Sequence, residues 1–238
     1  MSKLLTIVII AAIVTIGAAV GSSPSGSTGV SPLHNPNGLE LGLAPVARSE
    51  LPRARVLIRK VKVGEASSTR PYDRSAFGQP WTDDTSAPWG HDGCPTREQV
   101  LQRDMPDESF RAEPRDPPHC VVASGTLDDP YTGREIPFSK TRAQAVQIDH
   151  VVALHYAWEH GADVWSRERR DEYANNPLVL LAVDGPANLR KSDHGTSEWL
   201  PPNEAVWCAL AVRQAQVEIR YHLTVTKLDK HTMLRVCS

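Results

Sequence analysis

The sequence has little net charge: 26 Lys and Arg against 28 Asp and Glu leave −2, so no global field draws this chain to polyanions. Any contact with nucleic acid must then come from a local patch. No internal repeat is visible, which sets aside repeat architectures. Cysteine is scarce. Cys94, Cys120, Cys208 and Cys237 contain no Cys-x-x-Cys pair, which excludes a zinc ribbon, and nothing resembles a helix-turn-helix or a finger that would read bases. Only one long apolar run is present, Leu4 to Val20, behind the short charged start Met1-Ser2-Lys3. With Ala18, Ala19 and Gly21 as a cleavage region, residues 1–21 read as an export signal. An uncleaved N-terminal anchor is the competing reading, because the run is almost long enough to span a bilayer. No Cys follows the run, which argues against a lipid-anchored form.

An exported chain with an even number of cysteines favours two disulfides over free thiols. Three connectivities are open, and sequence order suggests Cys94 with Cys120 and Cys208 with Cys237. Residues 22–47 are rich in Ser, Gly and Pro with little apolar periodicity, so they read as a disordered linker or propeptide. Residues 48–238 form one domain. Within it, Arg55 to Val63 alternates enough to be a strand with a solvated basic face. Thr96 to Asp104 has helical character, Val121 to Leu127 is a strand, and Asp128-Asp129-Pro130-Tyr131-Thr132-Gly133 is turn chemistry. Leu154 to His160 and Val164 to Ala174 have helical spacing, broken by Gly161. Asn203 to Val225 is an amphipathic helix, and a last short helix or coil returns Cys237 to it.

The informative part is two separated stretches. Val146-Gln147-Ile148-Asp149-His150-Val151-Val152-Ala153-Leu154 and Asn176-Pro177-Leu178-Val179-Leu180-Leu181-Ala182-Val183 are strand-length aliphatic runs. The second is broken by Asp184-Gly185-Pro186 before Ala187-Asn188-Leu189-Arg190-Lys191-Ser192-Asp193, which can turn helical. A strand, a strand and a short helix would bring the Asp149 carboxylate, the His150 imidazole and the Asn188 amide to one point. That is a small metal site with a base beside it. Neighbours on a regular strand point to opposite faces, so convergence of Asp149 and His150 predicts a bulged or ending strand there.

These residues resemble the ββα-metal motif of HNH nucleases. From about Tyr72 onward the chain is similar to secreted bacterial HNH-like proteins related to the C-terminal domain of the GmrSD restriction enzymes. Gln147 to Leu154, Leu180 to Gly185 and Glu198-Trp199-Leu200-Pro201-Pro202-Asn203 carry the likeness. It implies an α+β fold: a ββα-metal core with inserted and C-terminal helices, stapled by disulfides. It also implies a metal-dependent endonuclease of low sequence specificity acting on DNA, with RNA as a second substrate class, and leaving 5′-phosphate and 3′-hydroxyl ends. His150 would be the general base, because its unperturbed pKa lies near neutrality. Asp149 and Asn188 are hard oxygen donors suited to Mg²⁺, with Mn²⁺ as the alternative. The family's middle Asn falls at Val179, which has no amide. Asn176 is the substitute, bracing the loop or orienting His150, unless it only caps the chain before Pro177. Arg190 and Lys191 are the expected phosphate contacts, Lys191 first. His155, His160 and His194 read as surface or packing residues.

Two other classes stay open: a non-catalytic nucleic-acid-binding module that kept the scaffold, and a cell-surface interaction domain in which only the disulfides matter. Secretion follows from a cleaved signal, with no stable membrane partner. The oligomeric state is not written in the sequence.

Overall fold

The computed structural model describes residues 29–110 and 120–238. Among the described residues, helices are mixed with three small sheets. Helix α1 (Leu51–Arg59) is followed by strand β1 (Lys62–Val63), helix α2 (Thr96–Asp104) and strands β2 (Ser109–Phe110), β3 (Val122–Asp128) and β4 (Glu135–Ser139). The central hairpin is β5 (Val146–His150) paired antiparallel with β6 (Leu180–Asp184). Between its strands lie α3 (Leu154–Glu159) and α4 (Arg167–Asn175). Helix α5 (Gly185–Lys191) follows β6 directly. The chain ends with α6 (Trp207–Tyr221), β7 (Thr224–Val225) and α7 (Lys227–Val236).

The hairpin is a wall between two hydrophobic cores. Val146, Ile148, Leu180 and Ala182 face a core shared with Val100 and Leu101 of α2. Leu181 and Val183, on the opposite pleat, join the larger core of α3, α5 and α6. Burial on both faces explains why β6 reads as an unbroken aliphatic run rather than an alternating one. Its turn into α5 is set locally: Asp184 accepts from the Ala187 amide at 2.8 Å, and Pro186 stands in the first turn. Along β6, Asp104 of α2 accepts the Ala182 amide at 2.9 Å, and the Arg103 guanidinium donates to Leu180 O at 2.9 Å and Pro177 O at 2.9 Å.

Cys94–Cys120 and Cys208–Cys237 are bonded, the pairing that sequence order suggests. The first ties the start of α2 to the strand before the turn, and the second ties α6 to α7. The helix at Thr96, the strand before Leu127 and the helices on either side of Gly161 stand close to where the sequence puts them.

Two expectations are corrected. The stretch Arg55 to Val63 is mostly helix, because Ala54 and Ile58, four apart, are the buried positions and Pro52 opens the first turn. Only Lys62 and Val63 are strand, paired in parallel with β7. The described part of the expected linker, residues 29–47, is packed against the domain. Leu33 and Leu43 are buried, Asn35 exchanges bonds with the Glu40 backbone, and the Gly42 amide donates to Asp104 at 3.0 Å. Arg103 and Gln216 also donate to the carbonyls of Gly38 and Pro32, so leucines and hydrogen bonds together seat the segment. The apolar run expected to be an export signal or anchor lies outside the described residues. Among the described residues no helix is long and apolar enough to cross a membrane.

Candidate active site

The β5–β6 ladder stays in register through both residues of interest, with Asp149 opposite Leu181 and His150 opposite Leu180. The bulge allowed for in the sequence reading is absent; the strand simply stops at His150. Asp149 and His150 therefore keep opposite faces, and they meet only because the strand end lets both reach one depression of about 360 Å³. Asn188 of α5 lines the same depression, with Tyr72, Arg74 and His155.

Asp149 is buried and its two oxygens are held separately. Oδ1 accepts from Lys191 Nζ at 2.8 Å, and Oδ2 accepts from the Tyr131 hydroxyl at 2.5 Å. Burial lifts its carboxyl above the usual range, while the Lys191 ammonium and the Tyr131 hydroxyl act in the opposite sense. Lys191 is 1% exposed and also donates to His150 O at 2.9 Å. This corrects its expected place at the substrate: the last residue of α5 turns back onto β5, and its charge is spent inside the protein. Arg190 is exposed on α5.

His150 is buried, with Nε2 3.0 Å from Ala174 O. A carbonyl only accepts, so Nε2 carries the hydrogen and Nδ1 is left as the acceptor of the neutral ring. The ring stacks on Trp81 at 5.7 Å and 18°. Burial pushes its pKa down to about 3; the Ala174 carbonyl opposes this, and the charges of Arg74 and Lys191 add to it. The imidazole is thus uncharged at neutral pH, and the same burial makes its free nitrogen a weak proton acceptor. Trp81 itself stands at φ 58°, in the left-handed region that a bulky residue seldom adopts.

The hydrogen bonds of Asn176 go elsewhere than to His150. Its Oδ1 accepts the Leu178 amide at 2.9 Å and its Nδ2 donates to Glu172 at 2.6 Å, so of the roles considered it takes the capping one. The orienting group for His150 is the backbone carbonyl of Ala174, near the end of the same helix. Asn188 donates from Nδ2 to Gln147 Oε1 at 3.0 Å, which leaves its amide oxygen as the group with ligand chemistry.

A hard divalent cation takes carboxylate and amide oxygens. Asp149 and Asn188 offer one of each on a single depression, and each Asp149 oxygen keeps a lone pair beyond the bond it accepts. The donor set fits such an ion. No group of three or more His, Cys, Asp or Glu able to hold a metal occurs among the described residues, so water and substrate would fill most positions.

Several neighbours escaped the sequence reading. Tyr131 sits in the Asp-Asp-Pro-Tyr-Thr-Gly turn, where only turn chemistry is legible. His155, read as packing, stacks on Tyr72 at 4.5 Å and places Nδ1 2.6 Å from Asp193. Arg74 and Trp81 belong to a segment with no motif. Their signal is tertiary.

Residues 96–236 match the family described as GmrSD restriction endonucleases, C-terminal domain. A protein of Arthroderma benhamiae, described as an uncharacterized secreted protein, is 36% identical over 150 residues, which covers 60% of this chain and 68% of that protein. No solved structure matches. The matched family span contains Asp149, His150, Asn188, Lys191 and Tyr131, but neither Arg74 nor Trp81.

Proposed function

The chain belongs to the family of GmrSD restriction endonuclease C-terminal domains, and on that footing we propose that it is an exported, metal-dependent endonuclease of HNH type. Its substrate is the phosphodiester backbone of DNA, with RNA as the second polymer to test. The observation that carries the reading is geometric: the His150 ring, fixed by the Ala174 carbonyl through Nε2, stands beside a carboxylate and an amide oxygen on one depression. Nδ1 takes the proton of the attacking water. Asp149 and Asn188 would hold the divalent ion, Mg²⁺ or Mn²⁺, which neutralises charge developing on the phosphoryl oxygens. Lys191 and Tyr131 fix the Asp149 carboxylate so that it is in place before substrate arrives. Export agrees with the two disulfides and with the printed description of the Arthroderma benhamiae relative.

A second reading, a binding module that kept the scaffold, is favoured by one observation: the family's middle Asn is Val179, and Asn176 is engaged as a cap. Plasmid degradation separates the two, run on disulfide-intact protein with Mg²⁺, with Mn²⁺ and with chelator, beside His150→Ala. Cleavage that needs metal and falls by roughly a hundredfold or more in the variant supports the nuclease. A folded wild-type protein that cleaves under neither metal transfers the case to the binding module.

A further inference from the structure

The depression at Asp149 and His150 runs into a second one of about 460 Å³; the two share Arg74, Ile148 and Asn188. The second is lined by three cations, Arg74, Arg97 and Lys140, and none of the described residues lining it is acidic. In a chain of net charge −2 this is a local concentration of one sign. Two of the cations are held in place from below. Buried Glu98 binds Lys140 Nζ and stands 3.3 Å from Arg97 Nη1 through Oε1, while its Oε2 accepts the Val122 amide at 3.0 Å. One carboxylate thus positions two positive groups at the rim, and the wall keeps an excess of positive charge. Trp81 supplies an apolar wall between this depression and His150.

A third depression, of about 370 Å³, has the opposite character: it is lined by Asp84, Glu168 and Asp171, with Arg167 and His91. It shares no lining residue with the other two, and a phosphate backbone is attracted to the second depression and repelled by the third.

We propose that the second depression is the track for a nucleic-acid strand, with Arg74 on the phosphate next to the reacting one, Lys140 and Arg97 on those beyond, and Trp81 as a stacking wall for a base. The proposal takes its substrate class from the nuclease reading. It adds a binding surface built partly from residues before position 96, outside the span that matches the family.

The test is binding rather than cleavage. A short fluorescein-labelled single-stranded oligonucleotide is titrated by anisotropy in chelator over a range of salt, with the wild-type protein, Arg74→Gln, Lys140→Gln, the double variant, and Arg167→Gln as control. Arg74 is exposed and Lys140 partly so, and neither substitution empties a core. Each track variant should weaken binding and reduce the slope of log K against log salt by about 0.7, the double by about twice that, with the control unchanged. Unchanged slopes in the track variants, an equal fall in the control, or no binding by the wild-type protein overturns the proposal. Plasmid cleavage with Mg²⁺ is scored separately. Binding through these residues without cleavage removes the nuclease and keeps the track; cleavage indifferent to them removes the track and keeps the nuclease.

Discussion

Lys191→Met is the most direct test of how Asp149 is held. The substitution keeps the length of the side chain and removes the ammonium from a place where both partners are nearly inaccessible, with side-chain exposures of 1% and 6%. What remains is a buried carboxylate with only the Tyr131 hydroxyl, and a His150 carbonyl that has lost a donor. Removing one member of a buried pair costs about 3–5 kcal/mol, chiefly the desolvation of the charge left behind. For a domain of this size that is a fall in Tm of roughly 6–20 °C. The remedy is specific. Asp149→Asn in the Lys191→Met background removes the stranded charge, so the double variant should recover much of the loss, with a coupling of about 2 kcal/mol or more in the cycle. The pH dependence follows from burial, which already lifts the Asp149 carboxyl. Without Lys191 that lift grows, so the deficit should be largest near neutral pH and shrink as acid protonates the carboxyl. Urea unfolding of the four proteins at two pH values measures all of this. A Lys191→Met protein within 1 kcal/mol of wild type and uncoupled to Asp149 would refute the reasoning and return Lys191 to the substrate side.

Two further predictions concern pH. His150 has a folded pKa pushed down to about 3 against about 6.5 when unfolded, so its contribution is fully present above about 6.5 and is lost as pH falls toward 3. Replacing it with Asn should flatten the acid limb of the stability curve across that window, read by thermal unfolding; an unchanged limb would show that His150 charges freely in the folded protein. Glu218 is the opposite case: burial in α6 raises its pKa to about 8, so its contribution is present below about 4.5 and is lost as pH rises toward 8. Glu218→Gln should therefore stabilise the protein at pH 7 relative to wild type, by up to about 3 kcal/mol, and leave it unchanged at pH 4; a loss at pH 7 contradicts the assignment.

The strands and helices of the hairpin region were legible because they are carried by local pattern. Aliphatic runs of strand length, the Asp-Gly-Pro break and the apolar spacing of α6 all act within a few residues of themselves. Arg55 to Val63 was misread because alternation over a short segment is compatible with helical spacing, and the buried Ala54 lies just outside the window. Packing of residues 29–47 was invisible for a different reason. Two buried leucines and a handful of backbone bonds seat it, a signal too thin to separate from a polar linker. The meeting of His150, Asp149 and Asn188 on one depression was legible because it follows from a strand end and from the helix directly after β6. Lys191 was misplaced because a charge at the end of a short helix reads as exposed, and only the hairpin behind it reveals that it turns inward.

On the nuclease reading proposed above, the absence of an amide at Val179 leaves the orientation of His150 to a backbone carbonyl. A base needs a partner for its non-reacting nitrogen, and any fixed acceptor will do. Here α4 ends with Asn175, and the Asn176 side chain accepts the Leu178 amide while donating to Glu172, which pins the exit of the helix to its last turn. That exit is where the Ala174 carbonyl points at His150. Asn176 thus stands one step behind the base, through backbone geometry rather than a hydrogen bond. Val179 is free to be aliphatic because its position is wanted for the core: it is fully buried in the larger core, and its carbonyl accepts the Val151 amide at 2.8 Å just past the end of β5. The same substitution that removes a polar partner from the site anchors the chain immediately after His150. The orientation of the base and the end of the strand that exposes it are therefore set by the backbone of two segments, 174–179 and 149–151, braced against each other.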